Sequence, residues 1–192
     1  RPGNAGAYGK GGKSGVMAGG TIVVGARFKS NVGAAYVFTW NVKINNWAQQ
    51  ACLQAVDPEE DDKFGTSVAI NGDILVVGVP GDDSHKGSAY VFKRTGAVWA
   101  LQDILTSFNA NIGDEFGTSV AIVDDTIAVG AELEAGNGTD GPSDNSVPAA
   151  GAVYVFQENY HPIADAGPDQ TVNEGDLVTL DGSGSADPDG DT

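Results

Sequence analysis

The string Phe-Gly-Thr-Ser-Val-Ala-Ile occupies positions Phe64 to Ile70 and returns unchanged at Phe116 to Ile122, 52 residues later. Seven consecutive identities at a fixed offset mark an internal repeat, and a repeat of this length is one supersecondary unit that buries its faces against its neighbours. Working outward, Gly-x-x-Tyr-Val-Phe stands at Gly33 to Phe38, Gly87 to Phe92 and Gly151 to Phe156, and Val-Gly-Ala or Val-Gly-Val begins at Val24, Val77 and Val129. Three copies of one unit are therefore present, near 8–56, 57–108 and 109–157.

Each full unit reads as four short strands: FGTSVAI, ILVVGV, SAYVFKR and VWALQDIL. Turn residues such as Asn71-Gly72-Asp73 and Arg94-Thr95-Gly96 separate them, which is the signature of an antiparallel meander. The first strand alternates Phe64, Thr66, Val68 and Ile70 with the small Gly65, Ser67 and Ala69. Ile74 to Val79 is apolar throughout, which predicts burial on both faces. A repeated four-stranded sheet with small residues on one strand and a buried centre fits a β-propeller blade stacked between other blades. The fold class expected is all-β, with about three blades. A β-sandwich is the other reading, but it would not need a repeat. Trp47 and Trp99 mark the fourth strand, and aligning them sets Cys52 opposite Ile104, which predicts a small core residue rather than a reactive thiol.

Composition narrows the function. Ten Lys and Arg against 26 Asp and Glu give a formal charge of −16, which repels nucleic acid and anionic membrane surfaces. No apolar run approaches the roughly 20 residues of a membrane span. A single cysteine excludes an internal disulfide. Two histidines and the lack of G-x-S-x-G, H-E-x-x-H or a phosphate loop make the inventory for catalysis thin, so no enzyme is expected.

The motifs FGxSVAI, VVGxP, GSAYVF and the closing W-x-x-x-x-x-L resemble the bacterial FG-GAP repeats, which are related to the integrin α-chain propeller. The resemblance spans about residues 12 to 157. In the first unit Gly11-Gly12-Lys13-Ser14 stands where Phe-Gly-Thr-Ser belongs. Propellers close with about four to eight blades. Three units therefore imply further repeats ahead of Arg1 in a parent protein, or blades supplied by another copy of the chain.

The composition shifts after Tyr160. Ala164 to Asp191, ADAGPDQTVNEGDLVTLDGSGSADPDGD, resembles the opening of the PKD family, an immunoglobulin-like sandwich. Such a domain needs roughly 100 residues, so 161–192 reads as its N-terminal part. In the family these modules are spacers and interaction domains of exported proteins, which implies a secreted or cell-surface, prokaryotic parent.

Asp187, Asp189 and Asp191, spaced i, i+2, i+4 around Gly190, resemble the first half of a calcium loop, and Ca²⁺ is the one cofactor the sequence points to. An Asp-rich turn is the alternative. Integrin-type repeats carry calcium between their first two strands, but Ala18-Gly19-Gly20, Asn71-Gly72-Asp73 and Val123-Asp124-Asp125 are too short to wrap an ion. The acidic loops Asp57, Glu59, Glu60, Asp61, Asp62 and Asp82, Asp83 are either solvated runs or part of the rim that integrin-like propellers turn to their ligands. The third unit lengthens its corresponding loop to about Glu132 to Ala150, adding Asn137, Asp140 and Asp144, and loop insertions on a scaffold are where specificity tends to sit. The expected function is a non-catalytic adhesion or binding module for a protein or glycan. The alternatives are a fibre or sheath subunit completed by other copies of itself, and the accessory region of a secreted hydrolase.

Overall fold

The computed structural model describes residues 12, 14–135 and 147–157. The chain divides into two compact units, Arg1–Phe156 and Gln157–Thr192. All but the first residue of the second unit, and with it the PKD-like stretch, lies outside the described residues.

Three antiparallel sheets follow one another. The first is β1 (Ser14–Ala18), β2 (Thr21–Gly25), β3 (Ala35–Asn41) and β4 (Asn46–Leu53), paired in that order. The second is β5 (Ser67–Asn71), β6 (Ile74–Val79), β7 (Ser88–Thr95) and β8 (Val98–Leu105). The third has β9 (Phe116–Val123), β10 (Thr126–Ala131) and β11 (Ala152–Gln157) among the described residues. The protein is all-β, and the sheets are the expected blades; no closed ring forms among the described residues. Ser14 pairs with Gly25, Ser67 with Gly78 and Ser119 with Gly130, so the register is the same in all three. Two-residue turns at Gly19-Gly20, Gly72-Asp73 and Asp124-Asp125 close the first hairpins, as their lengths predict.

The core lies between the sheets. One face of the first blade gives Val23, Ala35, Val37 and Leu53, packed on Phe64, Val68, Leu75, Val77, Tyr90 and Phe92 of the second. The opposite face of the second blade gives Val76, Ala89 and Val91, packed on Phe116, Ile127, Val129 and Tyr154 of the third. Full burial of such side chains stabilises by about 1.5–3 kcal/mol each, so most of the stability of a blade resides in its neighbours.

The Phe-Gly pairs are the joints. Phe64 is 1 % exposed and meets Tyr90 and Phe92 of its own blade edge to face, at 5.4 and 6.2 Å between centroids. Phe116, 0 % exposed, repeats this with Tyr154 and Phe156 at 5.3 and 6.0 Å. Their backbones pair instead with the preceding blade, through parallel bridges Gly33 to Phe64 and Gly87 to Phe116. A Cβ on Gly87 would collide with the Phe116 carbonyl, and one on Gly78 with the Gly117 carbonyl, so backbone meets backbone where blades join. Around Phe64 the chain is a turn rather than an extended strand: Thr66 donates its N–H and its hydroxyl to the Lys63 carbonyl, and Gly65 has φ +85°.

Cys52 departs from expectation. It is exposed, and so is its counterpart Ile104 at 37 %. The alignment holds, but the fourth strand pairs with a single neighbour at the edge of its sheet, and only Leu53 of its C-terminal end turns fully inward.

Candidate functional site

At one end of the blades, each loop entering a blade is laced to two strand-connecting loops. In the entry to the second blade, Asp61 donates its N–H to the Asn31 carbonyl (2.9 Å) and Phe64 to that of Val32 (2.9 Å), both in the first blade. Gly81, after β6, donates to the Asp62 carbonyl at 2.9 Å. The entry to the third blade repeats the scheme: Gly113 and Glu115 donate to His85 (3.1 and 3.0 Å), Phe116 to Lys86 (3.0 Å), and Leu133 to Asp114 (3.2 Å). The acidic segments 57–62 and 82–83 are thus neighbours on one surface.

Within that surface one carboxylate per entry loop turns inward. Asp62 is 2 % exposed and its Oδ2 accepts the Glu59 N–H at 2.6 Å; Asp114 is 3 % exposed and accepts from Asn111 at 2.6 Å. A tyrosine of the following blade closes each loop, Tyr90 donating its hydroxyl to Asp57 (3.2 Å) and Tyr154 to Asn109 (2.5 Å). Ser88 donates to Asp82 at 2.5 Å, and Asn109 Nδ2 donates to Glu134 Oε1 at 2.8 Å.

Burial pushes the Asp62 carboxyl above the ordinary range, reinforced by the charges of Asp82, Glu59 and Asp57 and opposed by the Glu59 N–H. Burial likewise raises Glu134, with Asp114 adding to it and the bonds from Tyr154 and Asn109 opposing. Tyr154 is pushed up to about 12 by burial and by Glu134, and Tyr90 is raised by burial together with Asp82 and Asp57.

The predicted rim residues differ in exposure. Asp57, Glu59, Asp61 and Asp83 are exposed, Asp82 is half-buried, and Asp62 is buried as a loop fastener. Asn137, Asp140 and Asp144, and the calcium candidates Asp187, Asp189 and Asp191, lie outside the described residues. Among the described residues no three metal-ligating side chains gather.

A second feature escapes sequence reading. Where the three blades converge, a cleft of 430 Å³ is lined by the β-strand serines Ser14, Ser67 and Ser119, by Thr66 and Thr118, and by four charged residues, Arg27, Lys63, Glu115 and Glu132. Lys63 Nζ lies 3.9 Å from Glu115 Oε1 and 3.4 Å from His85 Nε2. The available signal is variation inside the repeat: the residue two before the glycine of the Phe-Gly pair is Lys63 in one unit and Glu115 in the next, while its flanks do not change.

Blades joined by Phe-Gly pairs define a repeat-propeller class of protein. The sequence matches the FG-GAP repeat family over residues 47–92 and 99–156, more than half of the chain. The chain belongs to that family. Each match starts on the Trp-bearing outer strand of one blade and ends on the Tyr-Val-Phe strand of the next, so the family's repeat straddles the joint described above. No curated protein matches the chain. FG-GAP repeats are typical of extracellular proteins and generally non-catalytic. Among the described residues no helix is long and apolar enough to cross a membrane.

Proposed function

We propose that this chain is a non-catalytic extracellular binding or adhesion module that grips a protein or glycan with the exposed carboxylates of its loop rim. Asp57, Glu59, Asp61 and Asp83 form the contact surface, extended by Asn137, Asp140 and Asp144 of the long loop in the third unit. The observation that carries the reading is the division of labour in the entry loop. One buried carboxylate, Asp62, suffices to fasten it, and the neighbouring Glu59, Glu60 and Asp61 stay in solvent. Like charges crowded on a loop repel one another; beyond the one bond that Glu60 Oε1 accepts from Asn31 Nδ2 at 3.2 Å, they face solvent, placed to meet a cationic partner surface or a cation-bridged sugar. The PKD-like segment serves as the spacer, and Asp187, Asp189 and Asp191 hold Ca²⁺ there.

Arrays of glycans and of extracellular-matrix proteins, probed with the chain and with its Glu59→Gln/Glu60→Gln/Asp61→Gly variant, test this. Saturable binding that the variant loses, with unfolding temperature unchanged, is the expected outcome. Equal binding by both proteins, or none on either array, overturns the rim assignment.

A further inference from the structure

Where the three blades converge, the cleft of 430 Å³ brings together two cations and two anions. The positions that carry them are equivalent in the repeat. Arg27, Pro80 and Glu132 each stand two residues after a glycine that pairs with a strand serine, namely Gly25, Gly78 and Gly130. Lys63 and Glu115 each precede the phenylalanine of a Phe-Gly pair. The blades accept either sign at these places, so the fold does not choose the charges. The hydroxyls beside them are occupied with backbone. Ser14 Oγ accepts the Val68 N–H at 3.0 Å, Ser67 Oγ donates to the Gly117 carbonyl at 2.8 Å, and Thr66 and Thr118 donate to the carbonyls of Lys63 and Glu115 at 2.8 and 2.6 Å.

The charges, by contrast, are little used. Lys63 and Glu115 approach to 3.9 Å, and among the described residues Arg27 and Glu132 take part in no ion pair. The Arg27 guanidinium lies over the Phe28 ring at 4.5 Å, and its Nε is buried with no hydrogen-bond partner among the described residues. Residues 1–56 contain no Asp or Glu, so the first blade has no carboxylate to offer it. A buried donor without a partner destabilises a fold, and this one belongs to the wall of an open cleft. A wholly anionic ligand would be repelled by Glu115 and Glu132, a wholly cationic one by Arg27 and Lys63, and a neutral sugar would leave all four unmatched. Two carboxylates fall short of a metal site, and among the described residues no three metal-ligating side chains gather.

We infer that this cleft binds a small zwitterion, an amino acid or short peptide with both ends free. Its carboxylate meets the paired donors of Arg27, and its ammonium meets Glu132. The volume falls within the range of ordinary small-molecule sites, about 300–1,000 Å³.

Calorimetric titration of the chain with glycine, diglycine and triglycine, which hold the two charges progressively further apart, tests this. Saturable heat is expected from at least one of the three. Acetylating the amine or amidating the carboxylate of that ligand should each weaken binding at least about tenfold, as loss of one charge-assisted contact does. Arg27→Gln and Glu132→Gln should do the same, and the blocked ligands give the answer on the unaltered chain should either variant fold poorly. The Glu59→Gln/Glu60→Gln/Asp61→Gly chain should bind as before, which keeps this site distinct from the rim. Absence of saturable heat with all three ligands overturns the inference. So does indifference to either blocking group, or loss of binding in the rim variant, which would move the ammonium contact to the rim acids.

Discussion

The loops that enter the second and third blades occupy the same place and make the same backbone bonds, yet they share little sequence. Asp57-Pro58-Glu59-Glu60-Asp61-Asp62 in one corresponds to Asn109-Ala110-Asn111-Ile112-Gly113-Asp114 in the other. What survives the exchange is the buried carboxylate, the left-handed residue before it (φ +75° at Asp61, +95° at Gly113), and the tyrosine from the following blade. Everything that changes is exposed or half-buried, and Asp57 and Asn109 each offer an oxygen to that tyrosine. The comparison separates architecture from chemistry without any homologue: the fold keeps one buried acid per loop, Tyr90 holds Asp57 and Asn31 holds Glu60, and Glu59 and Asp61 are exchanged for uncharged residues in the other loop.

The largest effect should come from the shared anchor. Phe64→Ala and Phe116→Ala each remove a ring seated between two aromatics, and each should cost about 3–5 kcal/mol in urea unfolding; a wide gap between the two would break the equivalence of the joints.

Acidity probes one buried carboxylate at each joint, the shared Asp62 at the first and Glu134, which accepts from Asn109, at the second. Asp62 and Glu134 hold their protons more tightly folded than unfolded. Their contribution is therefore full below the ordinary carboxylate range and is lost as pH rises through their raised values. Stability should increase on acidification from neutrality, with a slope of up to about 1.4 kcal/mol per pH unit for each group. Asp62→Asn and Glu134→Gln should each flatten the pH profile of the unfolding temperature, and an unchanged profile would show that these acids are not what couples the loops to pH.

Smaller again are the tyrosine hydroxyls. Tyr90→Phe and Tyr154→Phe should cost about 1 kcal/mol each by chemical denaturation. Least of all, Glu59→Gln, Glu60→Gln and Asp61→Gly should leave stability within about 0.5 kcal/mol, because the third blade's loop already carries the uncharged versions; a larger loss would assign these acids to the fold after all.

The blades were legible because their code is local and repeated: two-residue turns, an apolar second strand and a Phe-Gly pair each announce themselves within a few residues. The site was legible only as a set of loops. That Asp62 would be the buried member among its neighbours depends on Gly81 and Tyr90 closing over it, and the sole hint in the sequence is Asp114 standing 52 positions on. Cys52 misled for the opposite reason, since membership of a blade says nothing about which strand is its outer edge. The charged cleft at Arg27, Lys63, Glu115 and Glu132 arises from residues of three units that meet only when the blades stack, and no single unit carries the pattern.

Trp99 Nε1 donates to Gln50 Oε1 at 2.8 Å, joining the outermost strands of the first two blades through long side chains, whereas Gly25 and Gly65 join the same blades with nothing but main chain between them. The two blades are thus held apart by side chains at their outer strands and meet through bare main chain at Gly25 and Gly65, so that filling Gly25 or trimming Trp99 would change how one blade sits on the next.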